Sequence, residues 1–246
     1  EEPSLTYTTA YQTEKDSFYV TVGLWQAGQN RIFIDCNVQS PADMLSPGRI
    51  GMTAILPVRF TAMKWYGKGP LETYPDRQCG GRMGVYSEDV RNQPFYLRPQ
   101  EYGLHTESRS MRLTDPDRAD FVRFEAACPM AMSAVPYSDL QLWNARHPFE
   151  LPAPEALYVH LDYAHRGLGN SSCGPDVLPT YRIDDRPCRF GFALEAGLGE
   201  QEDNPFGPIP EEIPAYHPWK AVGEQDRTPS YRDPSDPDQR SNAGMV

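Results

Sequence analysis

The chain has 246 residues, a formal net charge of −11 and 39 % hydrophobic residues. An acidic surface repels phosphates, which argues against nucleic acid as a partner, and no stretch reaches the roughly 18 apolar residues of a membrane span, so a soluble chain is expected. The 25 prolines and 19 glycines favour many turns over long helices, while 14 Tyr, 10 Phe and 4 Trp supply a core from large side chains.

Residues 5–38 alternate as strands do, with Ile32, Ile34, Cys36 and Val38 on one face of Arg31–Val38. The preceding Ala27-Gly28-Gln29-Asn30 reads as a hairpin turn. Ile50–Phe60 predicts a strand with Pro57 at an edge or bulge. Residues 67–82, dense in Gly, Pro and charge, read as an ordered or semi-ordered loop. Further strands are expected at Phe95–Leu97, Leu104–Leu113, Asp120–Ala126, Leu157–Tyr163 and Cys188–Leu194, with a short helix over 138–146. Many short strands between turns imply an all-β antiparallel sandwich or barrel.

The composition changes near Gly197. Residues 198–246 carry eight prolines, many acids and few aliphatics, too little apolar area to fold alone. The expected organisation is therefore a sandwich over residues 1–197 and an extended arm over 198–246. Phe206, Ile209, Ile213, Tyr216 and Trp219 are the arm's expected anchors on a partner.

The five cysteines (Cys36, Cys79, Cys128, Cys173, Cys188) show no CxxC and no zinc-type pairing with His. They read as free thiols, and neither a metal nor a cofactor is expected. An odd count favours a reducing environment. The first residue is Glu1, which suggests a removed targeting segment, with an organelle among the destinations, or a fragment of something longer.

Three segments carry a family resemblance. The first is Trp65-Tyr66-Gly67-Lys68-Gly69-Pro70-Leu71-Glu72-Thr73-Tyr74-Pro75-Asp76-Arg77. The second is Pro99-Gln100-Glu101-Tyr102-Gly103, trailed by His105 and Arg109. The third is Leu161-Asp162 followed by Arg166-Gly167-Leu168-Gly169-Asn170-Ser171-Ser172-Cys173-Gly174-Pro175. In order and spacing they resemble the C-terminal domain of family 2 β-galactosidases, which is the small chain of heterodimeric members. The resemblance spans about residues 7–196. It implies a galactose mutarotase-like antiparallel supersandwich, partial at its N-terminus, and it implies that the catalytic carboxylates lie in a separate barrel.

The residues support a structural role for the first two motifs. Retaining glycoside hydrolysis needs two carboxyl groups about 5 Å apart, and Glu72 with Asp76 or Glu101 with Glu107 is the available pairing. Glu72 and Asp76 sit among Gly, Pro and Arg77, where carboxylates fix loops by accepting N–H bonds or pairing with Arg. Gly67, Gly69 and Gly103 are expected at positive φ or at close backbone approaches. Pro70 removes a donor that a phosphate loop requires. The resemblance implies that the Gly167–Pro175 loop faces a sugar in the intact enzyme, where some relatives place a Trp and this chain has Cys173. His165, Gly167, Gly169, Asn170 and Cys173 are the candidate sugar-facing residues. A mutarotase-type reaction needs a His acid and a Glu base; His165 has the suggestive setting, yet it reads as a surface-loop histidine.

The chain is thus expected to be a non-catalytic β-galactosidase-type module, scaffolding a catalytic glycosidase chain. The alternative is an accessory subunit recruited into a large multiprotein complex, its arm contacting neighbours. A sugar-binding domain is the weaker third reading.

Overall fold

The computed structural model describes residues 3–12, 17–39, 46–94, 96–169, 176–183 and 187–199. Ten strands dominate: β1 (Leu5–Gln12), β2 (Ser17–Gln26), β3 (Arg31–Gln39), β4 (Arg49–Pro57), β5 (Ala62–Gly69), β6 (Arg82–Asp89), β7 (His105–Thr114), β8 (Phe121–Val135), β9 (Ala156–His165) and β10 (Cys188–Gly197). The one α-helix among the described residues is α1 (Asp139–Asn144). Every strand pair is antiparallel, in the order β1-β2-β3-β10-β8-β7-β5-β6, with β4 and β9 branching from β8.

The branch creates the second layer. The first half of β8, Phe121–Ala126, pairs with β10, and the second half, Ala131–Val135, pairs with β9. Pro129 falls in the gap, where its missing N–H costs neither ladder a bond. The sequence reading ended this strand at Ala126; the strand runs on to Val135 because it changes partner there.

Side-chain alternation then closes the sandwich. Ile34 and Cys36 of β3 and Phe190 and Phe192 of β10 meet Leu157, Val159 and Leu161 of β9 in one core with Met111, Phe124 and Trp65. Trp65 is 1 % exposed; its ring stacks on His105 at 3.9 Å, and its Nε1 donates to the Lys68 carbonyl at 3.1 Å. The hairpin at Ala27–Asn30 is present with Gly28 at φ 123°. Pro57 ends β4, an edge strand that pairs with β9 alone.

Three expectations change. Strands β5 and β6 enter residues 67–82 from both sides, so the loop is confined to about Pro70–Gly81. Tyr96 and Leu97 form no strand; Tyr96 packs instead against the cluster of Tyr102, Val135 and Leu142. The short helix forms, but only over Asp139–Asn144, with a capping box in which Ser138 and Gln141 satisfy each other's backbone N–H. Residues 200–246, including Phe206, Ile209, Ile213, Tyr216 and Trp219, lie outside the described residues.

Trp65→Ala removes the largest fully buried side chain and its hydrogen bond. The expected loss is about 3–5 kcal/mol of stability, measured as a lowered urea midpoint at unchanged slope; a loss below about 1 kcal/mol would show that Trp65 is not a core anchor.

Candidate functional site

β5, β7 and β9 bring the three motif segments to one end of the sandwich. The segment after Gly69 turns back through an isolated bridge between Tyr74 and Arg77. It is tied to the start of β7 by Thr73 N donating to the Leu104 carbonyl at 2.7 Å. Thr106 N also donates to Thr73 Oγ1, at 2.8 Å. Tyr74 is fully buried, with its ring edge-on to His165 at 5.4 Å. Burial holds its hydroxyl well above the ordinary tyrosine range.

Three carboxylates join the segments in pairs. Glu72 accepts from Gly103 N at 2.7 Å and from Tyr96 and Arg77, joining the first segment to the second. Asp76 accepts from Leu168 N at 3.0 Å and Gly169 N at 2.6 Å, joining the first to the third. Glu101 takes His165 Nε2 at 2.6 Å, joining the second to the third. Gly169 stands at φ 67°, and a Cβ there would lie 2.8 Å from Val177 N, so only glycine fits beneath the returning chain. Of the other motif glycines Gly103 has positive φ, while Gly67 and Gly69 have none and approach Ser108 and the Tyr86 ring closely. Asn170 and Cys173 lie outside the described residues.

His165 is not a surface histidine: its side chain is 5 % exposed, at the last position of β9. A bulge re-aims it. Ile50 pairs with Ala164 and Gly51 with Asp162, which leaves Tyr163 as the extra residue. The bulge shifts the alternation by one, so His165 joins His160 and Asp162 on one face of β9. Opposite them on β4 stand Arg49, Gly51 and Thr53. Arg49 is the hub, 2.9 Å from Glu101 Oε2, 2.6 Å from His160 Nδ1, 3.5 Å from Asp139 Oδ2 and 3.9 Å from Asp162 Oδ2. Sequence reasoning missed Arg49, Asp139 and His160. The bulge and the arrival of α1 bring them together, and neither has a sequence signature.

Protonation follows from the partners. His165 Nδ1 faces the Arg166 carbonyl at 2.6 Å and Nε2 faces Glu101; both partners accept, so both nitrogens donate and the ring is an imidazolium. Burial opposes that charge, but the Glu101 hydrogen bond and charge outweigh it and raise the pKa. Burial likewise opposes the Glu101 carboxylate, yet His165 and Arg49 bring it down to about 2. His160 is the reverse case. Burial and the adjacent Arg49 lower it to about 4, so the neutral ring accepts from Arg49 at Nδ1. Burial pushes Asp162 up to about 7, only partly opposed by Arg49 and His165.

These directions set a pH profile for stability. His165 contributes below the ordinary histidine range and loses its contribution as pH rises through its raised value. Asp162 is favoured as the neutral acid, so stability falls as pH climbs from the ordinary carboxyl range through about 7. His160 acts on the acid side, where stability falls as pH drops toward about 4. Asp162→Asn removes the carboxyl limb, and the decline between about pH 5 and about pH 8 is expected to shrink by about 1–3 kcal/mol in urea unfolding. Identical slopes in wild type and variant would refute this assignment.

Comparison with known proteins bears on the same residues. The family model described as beta galactosidase small chain matches residues 2–194. A β-galactosidase of Staphylococcus xylosus is 31 % identical over 62 % of this chain and 16 % of its own length. One from Arthrobacter sp. is 33 % identical over 65 % of this chain, again 16 % of its own. β-Galactosidase BgaC of Bifidobacterium adolescentis is 35 % identical over 69 % of this chain and 16 % of its own. Among solved structures, a putative aldose 1-epimerase of Escherichia coli K12 is 11 % identical, with a TM-score of 0.43 over 79 % of this chain and 65 % of that one. The chain therefore spans about a sixth of these β-galactosidases' length. By its matched residues the chain belongs to the β-galactosidase small-chain family.

Proposed function

We propose that this domain is non-catalytic by itself and supplies one wall of the substrate pocket of a β-galactosidase whose catalytic carboxylates lie elsewhere. The carboxylate clasp carries this reading. Glu72, Asp76 and Glu101 each spend their acceptor capacity on another segment of the domain. A hydrolytic pair needs one protonated and one free carboxyl facing a substrate. Asp76 instead holds Leu168 and Gly169, in the stem of the segment that the family resemblance assigns to the sugar, while Glu72 is bonded to Gly103 and Glu101 to His165.

The scaffold suits that task because it is stiff. Glu101 is held by an imidazolium and a guanidinium, and two successive amides converge on Asp76. A loop so anchored keeps its position while substrate enters and leaves, which is what a pocket wall requires.

The isolated chain is expected to hydrolyse o-nitrophenyl β-galactoside no faster than buffer. The tagged chain is expected to co-purify with a glycosidase chain and to support hydrolysis in that complex. There, Asp76→Ala should raise KM about 10-fold with a smaller effect on kcat, since it displaces a binding wall and no reacting group. Turnover by the isolated chain overturns the proposal, as does a complex indifferent to Asp76.

A further inference from the structure

The second layer of the sandwich stops short of the first. β4 stands over β3, where the Cys36 thiol donates to Met52 Sδ at 3.2 Å, and among the described residues β4 pairs with β9 alone. The first layer runs on past β3 through β2 to β1. Its inner face continues the core row, since Cys36 pairs with Val22 and Val22 with Tyr7. Val22 is buried, yet Leu5, Tyr7 and Tyr11 on that face of β1 are 56 %, 44 % and 49 % exposed. Tyr11 stacks on Phe18 of β2 at 4.9 Å.

An open ladder edge therefore borders an exposed apolar face. Edge strands are ordinarily guarded by charge or proline; β4 carries neither between Ile50 and Leu56, and Pro57 stands only at its end. A step of this shape fits one more strand, bonded to β4 and lying over β1 and β2. Such strand addition takes an extended segment with alternating side chains. The chain's own C-terminal segment has that pattern. Pro208, Pro210, Pro214 and Pro218 all fall on even positions. Successive N–H groups of an extended chain point to opposite sides, so these prolines strip donors from one edge only. The odd-numbered residues keep their donors on the other edge, and prolines so placed suit an edge strand with that side to solvent. The odd side chains of 213–221 are Ile213, Ala215, His217, Trp219 and Ala221, mostly apolar and all on one face.

We propose that residues 213–221 add a strand to the free edge of β4 in the same molecule, laying Ile213 and Trp219 over the apolar face of Leu5, Tyr7 and Tyr11. Ile213 and Trp219, expected from sequence to anchor on a partner, are thereby assigned to the chain's own sandwich. The reach suffices. From Phe190, paired with Cys36, the chain runs to Gly199 over roughly 30 Å at ~3.3 Å per residue. Residues 200–212 span about 40 Å when extended. A tethered segment also outcompetes a free one, because a short linkage gives a local concentration on the order of 1 mM. The pairing leaves the proline side outermost, short of donors to recruit a further strand, so the sheet ends there.

The full chain tests this without a catalytic partner, so the outcome is independent of the pocket-wall reading. Amide hydrogen exchange is followed residue by residue. Every second amide of β4, the set pointing away from β9, is expected to exchange at least about 10-fold more slowly than an open edge allows, at a rate independent of protein concentration. Ala215→Pro removes a ladder donor and should return those amides to the open-edge rate. Lys220→Pro puts its proline on the outer side and should leave the protection intact. Amides of β10, unchanged in both variants, report an intact sandwich. Open-edge exchange in the wild type overturns the proposal, as does equal behaviour of the two proline variants. Protection that grows with protein concentration overturns it too, assigning the edge to a second copy of the chain.

Discussion

Asp76 accepts hydrogen bonds from two successive backbone amides, Leu168 and Gly169, more than ninety residues further along the chain. Amide groups at the end of a strand have no ladder partner, and leaving them unpaired away from water costs about 1–3 kcal/mol each. A carboxylate is the strongest acceptor a side chain offers for that purpose. With Glu72 on Gly103 N and Glu101 on His165, it turns three loops that would each be weakly held into one rigid unit. The position of everything at this end of the sandwich follows from those contacts.

The polar face behind the clasp has a different physical character. Arg49 lies among Glu101, Asp139, Asp162 and the neutral His160, and the groups divide by depth. Hydrogen bonds and charge from His165 and Arg49 bring Glu101 down to about 2, whereas burial, only partly opposed by the charges of Arg49 and His165, pushes Asp162 up to about 7. Two carboxyls within one cluster thus differ because one has hydrogen-bonded cations and the other has mainly desolvation. Burial alone does not decide whether an acid is charged; its partners do.

The resemblance was carried by residues whose work is structural, and that explains why it was readable. Trp65, Tyr74, Gly103 and Gly169 occupy positions where size or backbone conformation admits few substitutes. Alternation in β3 and the hairpin at Ala27–Asn30 were equally legible, because period-two patterning needs only local sequence. Strands β5 and β6 were hidden, their ends overlapping Gly- and Pro-rich segments that read as loop. The continuation of β8 past Pro129 was hidden too, since a proline stops a strand unless the ladder changes partner there.

From sequence alone came the all-β class, the turn positions, the three motif segments and the inference that Glu72 and Asp76 are loop-fixing acids; each depends on residue type and near neighbours. Only the tertiary structure decided which amides those acids hold. It also decided that His165 is a buried imidazolium, and that Arg49, His160, Asp162 and an acid from α1 share one face. The reason is geometric: one extra residue at Tyr163 reverses the facing of every position beyond it on β9. Side chains far apart in the chain acquire their charges from neighbours that only folding supplies.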